Sequence, residues 1–92
     1  MRERDIERYL LHKVRALGGV AYKFTSPARR NVPDRLCVFP GGRVLFVELK
    51  APGKRPTKGQ FREMGRLLGM GAQVVWADTV EKVDEILETY LS

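Results

Sequence analysis

Apolar positions recur at helical spacing at the start of the chain: Ile6, Leu10, Val14 and Leu17 line one stripe, and Gly18-Gly19 ends it. This spacing predicts an amphipathic helix over roughly 3–17. Val20–Phe24 reads as a short strand, and Thr25–Pro33 as a loop rich in Pro, Asn and Arg. Two β-rich runs follow, Arg35–Phe39 and Arg43–Leu49, joined by Pro40-Gly41-Gly42, which signals a hairpin. Ala51–Pro56 is a loop with two prolines. Thr57-Lys-Gly-Gln60 has the form of a capping box and opens a helix to about Met70, ended by Gly71. Gln73–Ala77 is a strand. Asp78-Thr-Val-Glu81 is a second capping-box form, opening a last helix whose Val83, Ile86, Leu87, Tyr90 and Leu91 make one apolar face. The expected order is α-β-β-β-α-β-α, an α/β layered domain with a mixed sheet flanked by helices.

In Arg43–Lys50 both alternating faces are apolar, with Val44 and Phe46 on one and Leu45, Val47 and Leu49 on the other. A central strand covered on both sides is expected to look like this. Glu48 and Lys50 then continue the Val44/Phe46 face. A carboxylate at the end of a buried strand is partly desolvated, a cost that a cation offsets. Asp34 begins the strand that the hairpin folds against Arg43–Leu49, and antiparallel pairing places Asp34 beside Glu48 at one sheet end. Two adjacent carboxylates repel, and a divalent cation relieves the repulsion. Glu7 borders the core-facing stripe of the first helix, since Leu10, Leu11 and Val14 lie at i+3, i+4 and i+7 from it. Each of these charges alone reads equally as a solvated strand or helix end; together they suggest a metal-binding edge.

Composition narrows the choice. Ninety-two residues make one domain, 1–92, and the 43% hydrophobic and 30% charged fractions are those of an ordinary globular chain. No apolar run approaches the ~20 residues that span a bilayer. Glu3, Asp5 and Glu7 interrupt the N-terminal arginines, unlike a transit peptide, and no signal-peptide apolar region is present. An intracellular setting is expected, in the cytoplasm of a prokaryotic or virus-infected cell. The single cysteine, Cys37, lies inside a strand pattern and reads as a buried inert thiol with no disulfide partner. With His12 the only histidine, a His/Cys zinc site is out of reach, and any metal must be a hard cation such as Mg²⁺ or Mn²⁺. The net charge of +6 is uneven. Residues 1–62 carry 15 Lys and Arg against 5 Asp and Glu, whereas residues 63–92 carry 2 against 6. The basic segment is the footprint of a nucleic-acid partner.

Pro33-Asp34, thirteen intervening residues and then Glu48-Leu49-Lys50 resemble the PD-(D/E)xK nuclease motif. Glu7 on the preceding helix and Gln60 on the following one match two further positions of that superfamily. The arrangement "VPD … VELKAPGKRPTKGQ" with the "GAQVVW" strand is similar to the VRR-NUC branch, the virus-type replication and repair nucleases. The resemblance runs from Glu7 to about Trp76. Asn31 departs from it, standing where the branch commonly has glycine, although Asn also tolerates positive φ. The resemblance implies a restriction-endonuclease-like core and a metal-dependent endonuclease acting on DNA. Asp34, Glu48 and the Leu49 carbonyl would ligate Mg²⁺ or Mn²⁺, with Glu7 doing so directly or through water. Lys50 would orient the attacking water or neutralise developing charge, and Gln60 would hold a water or a metal-linked group. The alternative is a non-catalytic basic nucleic-acid-binding module on the same fold.

Arg29, Arg30, Lys54, Arg55 and Lys58 flank this constellation and are candidate contacts to DNA phosphates. "PGKRPTKG" lacks P-loop spacing. Trp76 and Tyr22 are expected to pack in the core. Gly65 and Gly69 lie on or beside the apolar face of the Gln60 helix, where close packing against the sheet or a second subunit would account for them. That helix and the C-terminal helix are expected to carry surplus apolar surface for a homodimer, whose two-fold symmetry suits branched or duplex DNA, including four-way junctions.

Overall fold

The computed structural model describes residues 1–91. Its elements are α1 (Glu3–Ala16), β1 (Val20–Lys23), β2 (Arg35–Phe39), β3 (Arg43–Leu49), α2 (Lys58–Gly69), β4 (Val74–Ala77) and α3 (Val80–Leu91). The predicted order holds, and the hairpin strands have the predicted bounds. The four strands lie in the order β1-β2-β3-β4. β1, β2 and β3 pair antiparallel; β4 returns parallel to β3 after the α2 crossover. The β2–β3 turn is built on Gly41 and Gly42, both at positive φ, with the Gly42 amide bonded to the Phe39 carbonyl.

Strand pairing sorts side chains onto two faces. On one, Cys37, Phe39, Leu45, Val47, Leu49 and Ala77 pack beneath Ile6, Leu10 and Val14 of α1 and Val83 and Leu87 of α3. This is the main core. α2 crosses the opposite face near β4, where Phe61 meets the Trp76 ring edge-on at 6.3 Å and Met64 is buried. The crossover leaves the β1–β2 part of that face uncovered, so Val20, Tyr22 and Val44 are exposed.

Five expectations are corrected here. Tyr22 is 56% exposed because no helix reaches β1 on its side. Trp76 is half-buried, capped by Phe61 and by the Lys82 ammonium 3.5 Å from its ring. The last helix is capped by Thr79, whose hydroxyl accepts the Lys82 amide, whereas the Asp78 carboxylate accepts the Gly53 amide and so ties down the loop after β3. Gly65 and Gly69 do not pack tightly on the sheet, since a Cβ at either would meet nothing within 4 Å. α3 carries little surplus apolar surface: Val83 and Leu87 are buried, and Ile86, Tyr90 and Leu91 pack against the core.

Gly19 is the glycine that packing requires. A Cβ there would lie 2.6 Å from the Val38 carbonyl and 2.9 Å from the Phe39 ring. Gly19→Ala is therefore expected to destabilise the protein by about 1–3 kcal/mol through forced overpacking. Gly65→Ala, in open helical surface, should stabilise it by about 1 kcal/mol. Paired denaturant titrations check both, and equal signs for the two variants would refute the packing assignment.

Candidate active site

Asp34 is the residue before β2. Because Arg35 pairs with Val47, continuing the register sets Asp34 opposite Glu48. The pairing extends beyond the strand ends, since the Phe24 amide donates to the Asp34 carbonyl at 2.8 Å. The Asp34 carboxylate Oδ2 accepts the Leu49 amide at 2.9 Å, which anchors it to the end of β3. Sequence parity then puts Asp34, Glu48 and Lys50 on the α2 side of the sheet. Lys50 is held in line by its own amide, bonded to the Ala77 carbonyl of β4 at 2.9 Å.

Glu48 is only 2% exposed. One carboxylate oxygen, Oε2, lies 3.3 Å from the Lys50 ammonium. The other, Oε1, is buried with no hydrogen-bond partner. Burial, followed by the negative charge of Asp34, pushes the Glu48 carboxyl up to about 7; Lys50 and the Asp34 backbone amide pull weakly the other way. Near neutral pH a protonated and a charged Glu48 are thus close in free energy. A buried carboxylate oxygen lacking a donor, beside a second carboxylate, is a donor set suited to a hard divalent cation. Its two members come from adjacent strands and need no loop to bring them together.

The remaining predicted residues separate. Glu7 is not gathered with the two acids. Arg35 neighbours Asp34 in the chain but points to the other face, where it bonds the Ala21 carbonyl and pairs with Glu7 at 3.1 Å. Among the described residues no set of three His, Cys, Asp or Glu side chains could hold a metal ion. Gln60 sits in the first turn of α2, where its side-chain oxygen accepts the Thr57 amide at 2.9 Å and Thr57 Oγ1 accepts the Gln60 amide in return. The capping box read from the sequence is present, and it occupies the Gln60 oxygen. Lys54 and Arg55, between β3 and α2, and Lys58, at the start of α2, are exposed. Arg55 stacks on Phe61 at 5.9 Å. Asn31 adopts φ 67°, so the turn before Pro33-Asp34 survives the change from glycine.

Sequence reasoning missed one cluster. Glu63 is buried in α2 and holds Arg66 through both oxygens at 3.2 Å and Arg29 at 3.0 Å. The three-residue spacing of Glu63 and Arg66 was available as a helical ion pair. The reach of Arg29 across 34 residues was not.

No family model matches the chain. It is 53% identical over 79 residues to a protein named as a nuclease, p44 of Acyrthosiphon pisum secondary endosymbiont phage 1; the match covers 86% of this chain and 85% of that one. A solved VRR-NUC domain superposes with a TM-score of 0.89 at 32% identity, covering 96% of both chains. The fold, the sheet-end acids and these two relatives agree: the chain belongs to the VRR-NUC nuclease family.

Proposed function

We propose that this chain is a Mg²⁺- or Mn²⁺-dependent, structure-selective DNA endonuclease that hydrolyses phosphodiester bonds in branched DNA such as four-way junctions. The observation that carries this reading is the buried, donorless Oε1 of Glu48 beside Asp34. A module that only binds DNA gains nothing from a carboxylate buried at such cost. A nuclease gains a site for a cation. Asp34, Glu48 and the Leu49 carbonyl would hold that cation; Glu7, engaged by Arg35, would reach it only through water. When bound, the cation lowers the pKa of a water and draws charge from the scissile phosphate. Lys50, whose ammonium already lies beside Glu48, would orient the water or offset the developing charge. Gln60, with its oxygen in the helix cap, presents its amide N–H groups to a water. Arg29, Arg30, Lys54, Arg55 and Lys58 contact strand phosphates. The phage relative favours the cytoplasm of an infected bacterial cell as the setting.

A homodimer would deliver two cuts to opposing strands. Its support is the outer surface of α2, where Leu68 and Met70 are 51% and 64% exposed, Phe61 is exposed, and Gly65 and Gly69 leave open ground for a second backbone. Sedimentation at micromolar concentration should show a dimer, and Leu68→Glu should give a monomer. A wild-type monomer both free and on a four-way junction would remove the dimer. Paired symmetric nicks on the junction are the expected cleavage pattern, and a preference for linear single strands would contradict it.

Asp34→Ala and Glu48→Gln should each abolish Mg²⁺-dependent cleavage of plasmid and junction DNA while leaving the protein folded. Glu48→Gln also tests the burial directly. The folded-state pKa is raised from 4.5 to about 7, so the stability tied to Glu48 is complete below about 4.5 and is lost as pH rises through about 7. That loss amounts to about 3 kcal/mol. In metal-free buffer Glu48→Gln should therefore melt higher than wild type at pH 8 and nearly equal to it at pH 4.5. Cleavage by either variant at wild-type rates would place the site elsewhere.

Lys50→Ala should lower turnover by about 10²–10³-fold with little change in DNA affinity, because its contribution is made in the transition state. Single-turnover rates and equilibrium binding separate the two effects. Weakened binding with intact turnover would make Lys50 a phosphate anchor instead.

A further inference from the structure

Between the loop that precedes Asp34 and the first turns of α2 lies an open cavity of about 360 Å³. Its wall includes Arg29, Arg30, Arg62 and Arg66, with Glu63 as its carboxylate. Asn31 and Gly59 also line it, Asn31 three residues before Asp34 and Gly59 just before Gln60. The contact there is close: a Cβ on Gly59 would sit 2.7 Å from the Asn31 side chain.

The internal bonding of this cluster has a direction. Glu63, only 6% exposed, accepts two N–H bonds from Arg66 and two from Arg29, so its oxygens face inward and are fully engaged. A guanidinium carries five N–H donors in a rigid fork. Two from each arginine are used on Glu63, and both side chains remain about half exposed, at 51% and 44%. Their unused donors border the cavity. A tether between loop and helix would need one arginine for one carboxylate. Here two bind it and two more, Arg30 and Arg62, line the same cavity, a positive excess that an anion would relieve.

We propose that Arg29, Arg30, Arg62 and Arg66, held in place by Glu63, form a receptor for a backbone phosphate of the DNA strand. Bidentate guanidinium geometry fits a phosphodiester. The receptor rests on the nuclease reading only for the source of its phosphate, and it fixes where the strand runs relative to Asp34 and Glu48. Glu63 is a positioning residue that acts through Arg29 and Arg66.

The test is fluorescence anisotropy of a labelled duplex and a labelled four-way junction, in EDTA and across a salt series, so that no turnover is needed. Arg62→Ala, an exposed change, should weaken binding about 3- to 10-fold and reduce the slope of log affinity against log salt by about 1. Glu63→Gln separates positioning from net charge by sign. It removes a negative charge, so if charge alone mattered, DNA would bind more tightly. The receptor instead predicts weaker binding, and in Mg²⁺ a higher KM with kcat within about twofold of wild type. Inorganic phosphate, at constant ionic strength, should displace DNA more readily from wild type than from Arg62→Ala. Unchanged affinity and salt slope for Arg62→Ala, or tighter binding by folded Glu63→Gln, overturns the proposal. If Glu63→Gln does not fold, Arg30→Ala replaces it, with the same slope change expected and the same null result decisive. Phosphate binding that leaves DNA affinity independent of Arg62 overturns the assignment to DNA. Because binding is read without metal, loss of cleavage alone leaves this result standing.

Discussion

A carboxylate buried at the end of a central strand, with one oxygen lacking any donor, is the constraint around which this small domain is arranged. β3 is buried on both faces from Val47 to Leu49, so Glu48 is carried into an environment that its charge disfavours. Everything near it serves to hold that arrangement. The Leu49 amide fixes the Asp34 carboxylate at 2.9 Å, β4 fixes the Lys50 backbone through the Ala77 carbonyl, and Asp78 fixes the loop beyond through the Gly53 amide. These are backbone attachments from three strands and a loop end. The acids therefore occupy positions set by sheet geometry, with little side-chain entropy left to lose when a ligand arrives.

The sheet and the acid pair were legible because both depend on local pattern. Period-2 alternation and the Pro-Gly-Gly turn set the β2–β3 register, and register alone places Asp34 opposite Glu48. The Thr57–Gln60 box was legible because capping chemistry spans only three residues. What escaped were contacts whose partners lie far apart in the chain. Glu7 bordered the right stripe of α1, yet Arg35 on the opposite strand face engages it, and no spacing rule relates residues 7 and 35. Tyr22 looked like core because aromatic residues in strands usually are; its exposure depends on how far one crossover helix reaches across the sheet. Thr79 displaced Asp78 as the last helix cap because Asp78 had a distant amide to accept.

The uneven charge of the chain acquires a structural meaning. Arg29, Arg30, Lys54, Arg55, Lys58 and Arg62 belong to the loop before β2, the loop after β3 and the start of α2, the segments that flank Asp34 and Glu48 in the chain. The acidic residues of the last third lie largely on α3, which packs over the opposite face. One face of the sheet thus carries a basic rim around a negatively charged centre, and the other carries the core.

The two buried glutamates make the same point from opposite directions. Glu63 and Glu48 are almost equally hidden from solvent. Glu63 accepts from two arginines, and these hold its carboxyl down at about 2. Glu48 has Lys50 and, among the described residues, no hydrogen-bond partner for Oε1; burial with the Asp34 charge raises it to about 7 against the weaker pull of Lys50 and the Asp34 amide. Burial alone therefore does not determine what a carboxylate does. The count of donors around it does. A saturated carboxylate orients its arginines, whereas an under-supplied one is held more readily in its protonated form. With the two about 15 residues apart in a chain of 92, the domain holds one carboxylate that organises positive charge and another that lacks it.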